Sequence, residues 1–279
     1  MNHTNEYYLT AANKSFFNPH DILKLLTRSW VLVALIGQWI FALYIFVRFG
    51  MPSLSGNLTS ADTSGLIKGY VAGDEFGNGV LLLHLLPAIL LSFGGTLQLL
   101  PYLRKKYPAL HRWNGRMFLT LGLLGTLSGF YLLWGLDVRL SDKGSIGLTL
   151  NGLLILLTVM LAWKFAIKRQ YQKHMRWAIH AFILINGVWS VRLYMMSWYL
   201  LNQGPNGNTA NIDGPADITI SFASYLLPML IAEIYFWAMR QKSTYRVSIT
   251  NLFMLFGLLL TILGVVSATL FMWWPNIVV

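Results

Sequence analysis

The chain has 279 residues, 56% of them hydrophobic and only 11% charged, with a formal net charge of +11 and no cysteine. A soluble domain carries about 25% charged residues, so a soluble globule is excluded. The absence of cysteine excludes disulfides, thiolate metal sites and covalent haem attachment through C-x-x-C-H. The basic residues lie in short connections between apolar runs, a distribution that argues for membrane topology and against a nucleic-acid partner.

The first residues, "MNHTNEYYLTAANKSFF", lack the basic and apolar regions of a signal peptide. Residues 1–28 read as an N-terminal cytoplasmic segment, and 29–279 as a single transmembrane domain. Seven helices are expected at about 29–48, 80–101, 113–134, 147–166, 176–200, 218–239 and 248–273, from the rule of about 20 apolar residues per crossing. The expected fold is all-α and polytopic. The connections at 50–79 and 201–217 are rich in Gly, Ser, Asn, Thr and Asp and read as irregular.

In the second span His84 lies about one turn from the outer end. Gly95 and Gln98 follow on a similar face, and Pro87 is placed to kink the helix. The third span opens with "HRWNGR", which brings His111, Arg112, Gly115 and Arg116 together. Gly115 lies one turn below His111 and leaves room for a flat ring or for a neighbouring helix. The fourth span has no histidine. The fifth opens with "KHMRWAIH", containing His174, Arg176 and His180, and carries Arg192 further along. Glu233 of the sixth span stands at a depth similar to His180, where the two can pair. Ionisable residues inside spans are expensive in hydrocarbon and face the protein interior.

Trp113 and Trp134 are 21 residues apart, as are Trp177 and Trp198. At 1.5 Å per residue each pair spans about 31 Å, near the hydrocarbon thickness, and tryptophan favours both interfaces. Sixteen of the 21 lysines and arginines fall on one side of the seven spans, whereas seven of the ten acids fall on the other. The positive-inside rule puts the N-terminus in the cytoplasm and the C-terminus outside, in an inner or plasma membrane. The hairpins 80–134 and 147–200 also resemble each other. Each turns through a basic, tyrosine-containing loop and returns from a His–Trp motif, so helices 2–5 are expected to form a four-helix core.

The stretch from "HLLPAILLSFGGTLQLLPYLRKKYPALHRWNGRMF" to "KHMRWAIHAFILINGVWSVRLYMM" resembles the DUF2306 family of predicted bacterial membrane proteins, over about residues 80–200. The family pattern falls on His84, Gly95, Gln98, His111, Arg112, Gly115, Arg116, His174, Arg176, Trp177 and Arg192. The chain departs from it at 178–180, where "AIH" stands for the usual M-I-R, so His180 lies outside the pattern. The resemblance implies a membrane protein and carries no established activity. Its layout is similar to the haem core of the cytochrome b561 and ferric-reductase type, which implies at most one bis-histidine site here.

Three readings follow. In the first, His111 and His174 ligate the iron of one b-type haem, with His180 as a substitute. Arg112, Arg116 and Arg176 then hold its propionates, Gly115 makes room for the ring, and a quinone or redox protein is the electron partner near His84 and Arg192. In the second, Glu233, His180, Arg192 and His84 line the path of a transporter or ion-coupled permease, with Pro87 and Pro228 breaking helices beside it. In the third, the chain is a non-catalytic scaffold or assembly factor, and its histidines only pack or touch lipid.

Overall fold

The computed structural model describes residues 18–56, 71, 73–137 and 139–278. Among these residues all regular structure is helical. The first span is α1 (Pro19–Ile45), which runs through a π-helical turn at Phe46–Gly50 into α2 (Met51–Leu54). The second is α3 (Glu75–Leu85) with α4 (Pro87–Gln98), followed by the short connecting helix α5 (Pro101–Lys106). The third and fourth are α6 (Pro108–Phe130) and α7 (Asp142–Ile167). The fifth is divided into α8 (Tyr171–Ile185) and α9 (Gly187–Leu201). The last two are α10 (Pro215–Ala238) and α11 (Thr244–Ala268), with a further π-helical turn at Thr269–Trp273. Six of these units are long and apolar enough to cross a membrane singly, and the pair α8–α9, bent by 57°, passes the same test when taken together as one span.

Side chains cap the starts of the helices, where backbone N–H groups lack helical partners. Asn18 accepts from the His20 amide at 3.0 Å, and Pro19 sits at the first helical position. Asp74 accepts from the Gly77 amide at 2.8 Å, and Ser141 from the Gly144 amide at 3.0 Å. Buried Asp217 accepts from the amides of Thr209 and Gly214 and from Asn208 Nδ2, which closes the connection before α10.

Three features depart from the sequence expectation. First, α1 begins at Pro19 rather than near 29. Its first turns carry His20, Asp21, Lys24 and Arg28, so hydropathy misses them. Yet Leu23 is fully buried against Ala238, Val247 and Met254. His20 Nε2 donates to the Gln241 carbonyl at 3.1 Å, and Asn251 Nδ2 donates to the Pro19 carbonyl at 2.9 Å. Residues 18–28 thus belong to the bundle, while Lys14 and the rest of 1–17 lie outside the described residues.

Second, Pro228 does not break α10, which runs on through it. Membrane helices tolerate proline where neighbours re-satisfy the freed groups. Pro87 does mark a break, restarting the second span after Leu86. Third, the largest break falls in the fifth span, where α8 and α9 meet at 57° around Asn186. There Asn151 Nδ2 donates to the Leu184 carbonyl at 3.2 Å, and the bare Cα of Gly187 packs on the Asn151 amide.

The bend gives one span two cores. Around α8, Ala181 and Leu184 pack with Phe118, Leu119, Ile155, Val159, Ala162 and Tyr225. Around α9, Trp189 and Leu193 pack with Phe41, Ile45, Val265, Ala268 and Trp273. Spans 2 to 5 pack in chain order, α4 on α6, α6 on α7 and α7 on α8, and the fifth span carries the packing on to α10 and α11. Glycine sets the closest approach. A Cβ on Gly264 lies 2.7 Å from Leu193 Cβ and 3.1 Å from the Leu193 carbonyl oxygen. Small residues at such contacts let membrane helices pack closely.

Candidate functional site

One group of ionisable side chains joins α8 to α10. Glu233 of α10 receives Arg176 Nε on Oε1 at 2.7 Å and a second guanidinium nitrogen on Oε2. His180 Nε2 donates to the same Oε1 at 2.6 Å. One carboxylate therefore meets three donors from two successive turns of α8. The His180 side chain is 5% exposed, that of Glu233 33% and that of Arg176 49%, so the cluster runs from surface to interior. Trp177 packs against the His180 ring, with centroids 6.0 Å apart. His180 Nδ1 is buried and has no partner among the described residues. Beside Glu233 an open groove of about 500 Å³ is lined by Ile234, Trp237, Arg240, Ile249, Thr250 and Phe253.

The sequence reading paired Arg176 with an acidic haem edge, but in the fold its guanidinium meets Glu233. His111 and His174 open α6 and α8 at one end of the bundle, and His111 lies within electrostatic reach of His174, Arg104 and Arg112. His174 Nδ1 donates to the Ala162 carbonyl at 2.9 Å. His111 Nδ1 is buried without a partner among the described residues. Arg112 is exposed, and Arg116 stacks over Trp113 with its guanidinium 5.0 Å from the ring. The room beside Gly115 is taken by the Gln98 side chain, whose Oε1 lies 3.3 Å from where a Cβ would stand. The room beside Gly95 is taken by the Phe118 ring.

His84 lies apart from these histidines. Its Nδ1 is 3.1 Å from Ser128 Oγ, and its ring covers Gly129. Arg192 is held by its own helix and by α1. Its Nη1 donates to the Val188 carbonyl one turn back at 2.9 Å, and its guanidinium lies 5.4 Å above the Phe41 ring. Among the described residues no group of three or more His, Cys, Asp or Glu is placed to hold a metal ion.

The sequence reading passed over Gln38, Trp189 and Trp273, which the fold buries. Gln38 carried a signal, as a polar residue inside "VLVALIGQWIF". The bend also carried one, since the Asn186–Gly187 dipeptide favours turns.

No curated protein and no solved structure matches the chain. The family described as Predicted membrane protein (DUF2306) matches residues 81–236, more than half of the chain. That match runs past the resemblance at 80–200 to take in α10 and Glu233. The chain is an integral membrane protein that belongs to the DUF2306 family.

Proposed function

We propose that this protein is an ion-coupled membrane carrier in which Glu233 and His180 handle the proton. The observation that carries this reading is the Arg176–Glu233–His180 cluster within two candidate spans. Ionisable groups within membrane spans mark proton relays and substrate paths. Glu233 faces an open groove, and His180 leads from it into the packed interior. A proton reaching Glu233 weakens its hold on Arg176, and His180 offers Nδ1 as the next basic atom. Discontinuous spans build the central sites of many transporters, and here the break in the fifth span lies less than two turns beyond His180. The basic end of the bundle, with the cluster near it, faces the cytoplasm of a plasma or inner membrane by the positive-inside rule.

The test is a pH step applied to protein reconstituted in a solid-supported membrane. A transient charge movement that scales with protein density is expected, and Glu233→Gln should abolish it. Wild-type currents equal to those of protein-free membrane would overturn the reading.

A second reading is favoured by the two imidazoles at the basic end. His174 is held through Nδ1, which leaves Nε2 as its lone-pair nitrogen, and His111 keeps a buried unpaired Nδ1. His111 and His174 would hold the iron of a b-type haem, a cofactor that would supply one-electron chemistry. Exposed Arg112 and Arg116 suit its propionates, and a quinone or redox protein would be the partner. An absorption spectrum of protein from haem-replete cells decides this. A Soret band lost in both His111→Ala and His174→Ala supports it, and a colourless protein refutes it.

A further inference from the structure

The seam between α10 and α11 is closed on one side by α1, whose Leu23, Leu26 and Trp30 pack among Ala238, Val247 and Met254. No residue of α1 lines the groove beside Glu233, which runs along the other side of the seam. Glu233, Ile234 and Trp237 share one face of α10 by their spacing, and Arg240 follows just past its end. Ile249, Thr250 and Phe253 share one face of α11. Trp237, Ile249 and Phe253 are exposed although they lie in candidate spans, so the groove opens sideways toward the hydrocarbon of the bilayer.

This groove is apolar along its length and charged at its ends. Glu233 and Arg240 are seven residues apart, about 10 Å at 1.5 Å per residue. At the deep end both Glu233 oxygens are taken, by Arg176 and His180. Between the ends, the Thr250 hydroxyl donates to the Arg246 carbonyl at 3.1 Å. At the mouth Arg240 is exposed, and among the described residues no hydrogen bond or ion pair engages its guanidinium.

The mouth also has one sign of charge. Lys242 and Arg246 follow in the same connection, and residues 234–279 contain no aspartate or glutamate. A choline or ethanolamine cation finds no free carboxylate there, whereas a phosphate finds a guanidinium that can donate two parallel hydrogen bonds. An apolar trough open to the bilayer, ending in unpaired cations, matches a lipid with an anionic head.

We infer that the groove between α10 and α11 binds an anionic phospholipid from the leaflet at the basic end, with its phosphate on Arg240 and one acyl chain lying along Ile234, Ile249 and Phe253 toward Glu233. Basic pockets between spans hold lipid head groups in this way. The inference needs no proton movement, so it and the carrier reading fail separately.

The test is native mass spectrometry of the delipidated full chain in detergent, titrated with dioleoyl phosphatidylglycerol. One saturable adduct is expected, with dioleoyl phosphatidylcholine binding at least about fivefold more weakly. Arg240→Gln should weaken the phosphatidylglycerol adduct by about fivefold, which is what one basic residue contributes near an anionic lipid. Lys105→Gln, which removes an exposed cation from another connection, should leave it unchanged. Ile234→Trp should weaken it by filling the groove with every charge in place, and Arg240→Gln decides alone if that variant fails to fold. Equal affinity for the two lipids, or for the wild type and Arg240→Gln, would overturn the proposal. Equal losses in Arg240→Gln and Lys105→Gln would mean diffuse surface charge in place of a site, and inorganic phosphate binding as tightly as the lipid would mean an anion site without a chain. Either result would overturn it too.

Discussion

Glu233→Gln removes one charge while keeping the side chain's size, and the structure sets what this should cost. A carboxylate offers two acceptor oxygens to three donors, whereas an amide offers one oxygen and turns a donor toward them. At least one of Arg176 Nη, Arg176 Nε and His180 Nε2 therefore loses its partner. The arginine side chain is 49% exposed and can turn to water, so its share is that of a surface pair, about 0–1 kcal/mol. The histidine is 5% exposed and has no such recourse. A hydrogen bond to a charged group is worth about 1.5–3 kcal/mol. The substitution should therefore destabilise the fold by about 2 kcal/mol, mostly through His180. The assay is unfolding by sodium dodecyl sulfate in mixed micelles, followed by circular dichroism, in a double-mutant cycle with His180→Phe. A coupling of about 1 kcal/mol or more is expected. Additivity within about 0.3 kcal/mol would show that the His180–Glu233 contact contributes nothing to stability.

Other expectations follow from particular contacts. Gly264→Ala drives a methyl against the Leu193 backbone and should cost about 1–3 kcal/mol by overpacking. Gly125→Ala, where a Cβ meets nothing within 4 Å, should be neutral or stabilising by up to about 1 kcal/mol through helix propensity. If the two lose stability equally in the same micelle titration, the packing account of Gly264 is wrong. Asp217→Ala strips three donors at the start of α10 and should lower the melting midpoint in detergent, at a cost of about 1–3 kcal/mol. An unchanged midpoint would remove Asp217 from the account of that loop. Reporter fusions after residues 106 and 170 should read as cytoplasmic and a C-terminal fusion as external. A cytoplasmic C-terminus would mean that the bent fifth span does not cross.

The membrane class, the helical fold and the approximate spans were legible in the sequence, because they depend on quantities summed along the chain. Long apolar runs and basic connections report what each segment faces, whichever helix lies beside it. Helix starts were not read, although Asn18, Asp74 and Ser141 act on backbone groups within a few residues. The start of α1 was obscured because its first turns alternate charge with a single buried leucine, and only contact with α10 and α11 buries Leu23. Which side chains meet was decided by tertiary structure. Depth along a helix can be counted from sequence, and it placed Glu233 beside His180. Rotation about the axis and the identity of the neighbour cannot be counted, so Arg176 turned to Glu233 and the room beside Gly115 went to Gln98. The bend at Asn186 decided most. It turns α9 away from the core around α8 and into a second one with α1 and α11. There Trp189 and Trp273 share one buried core with Phe41, whose ring lies under Arg192.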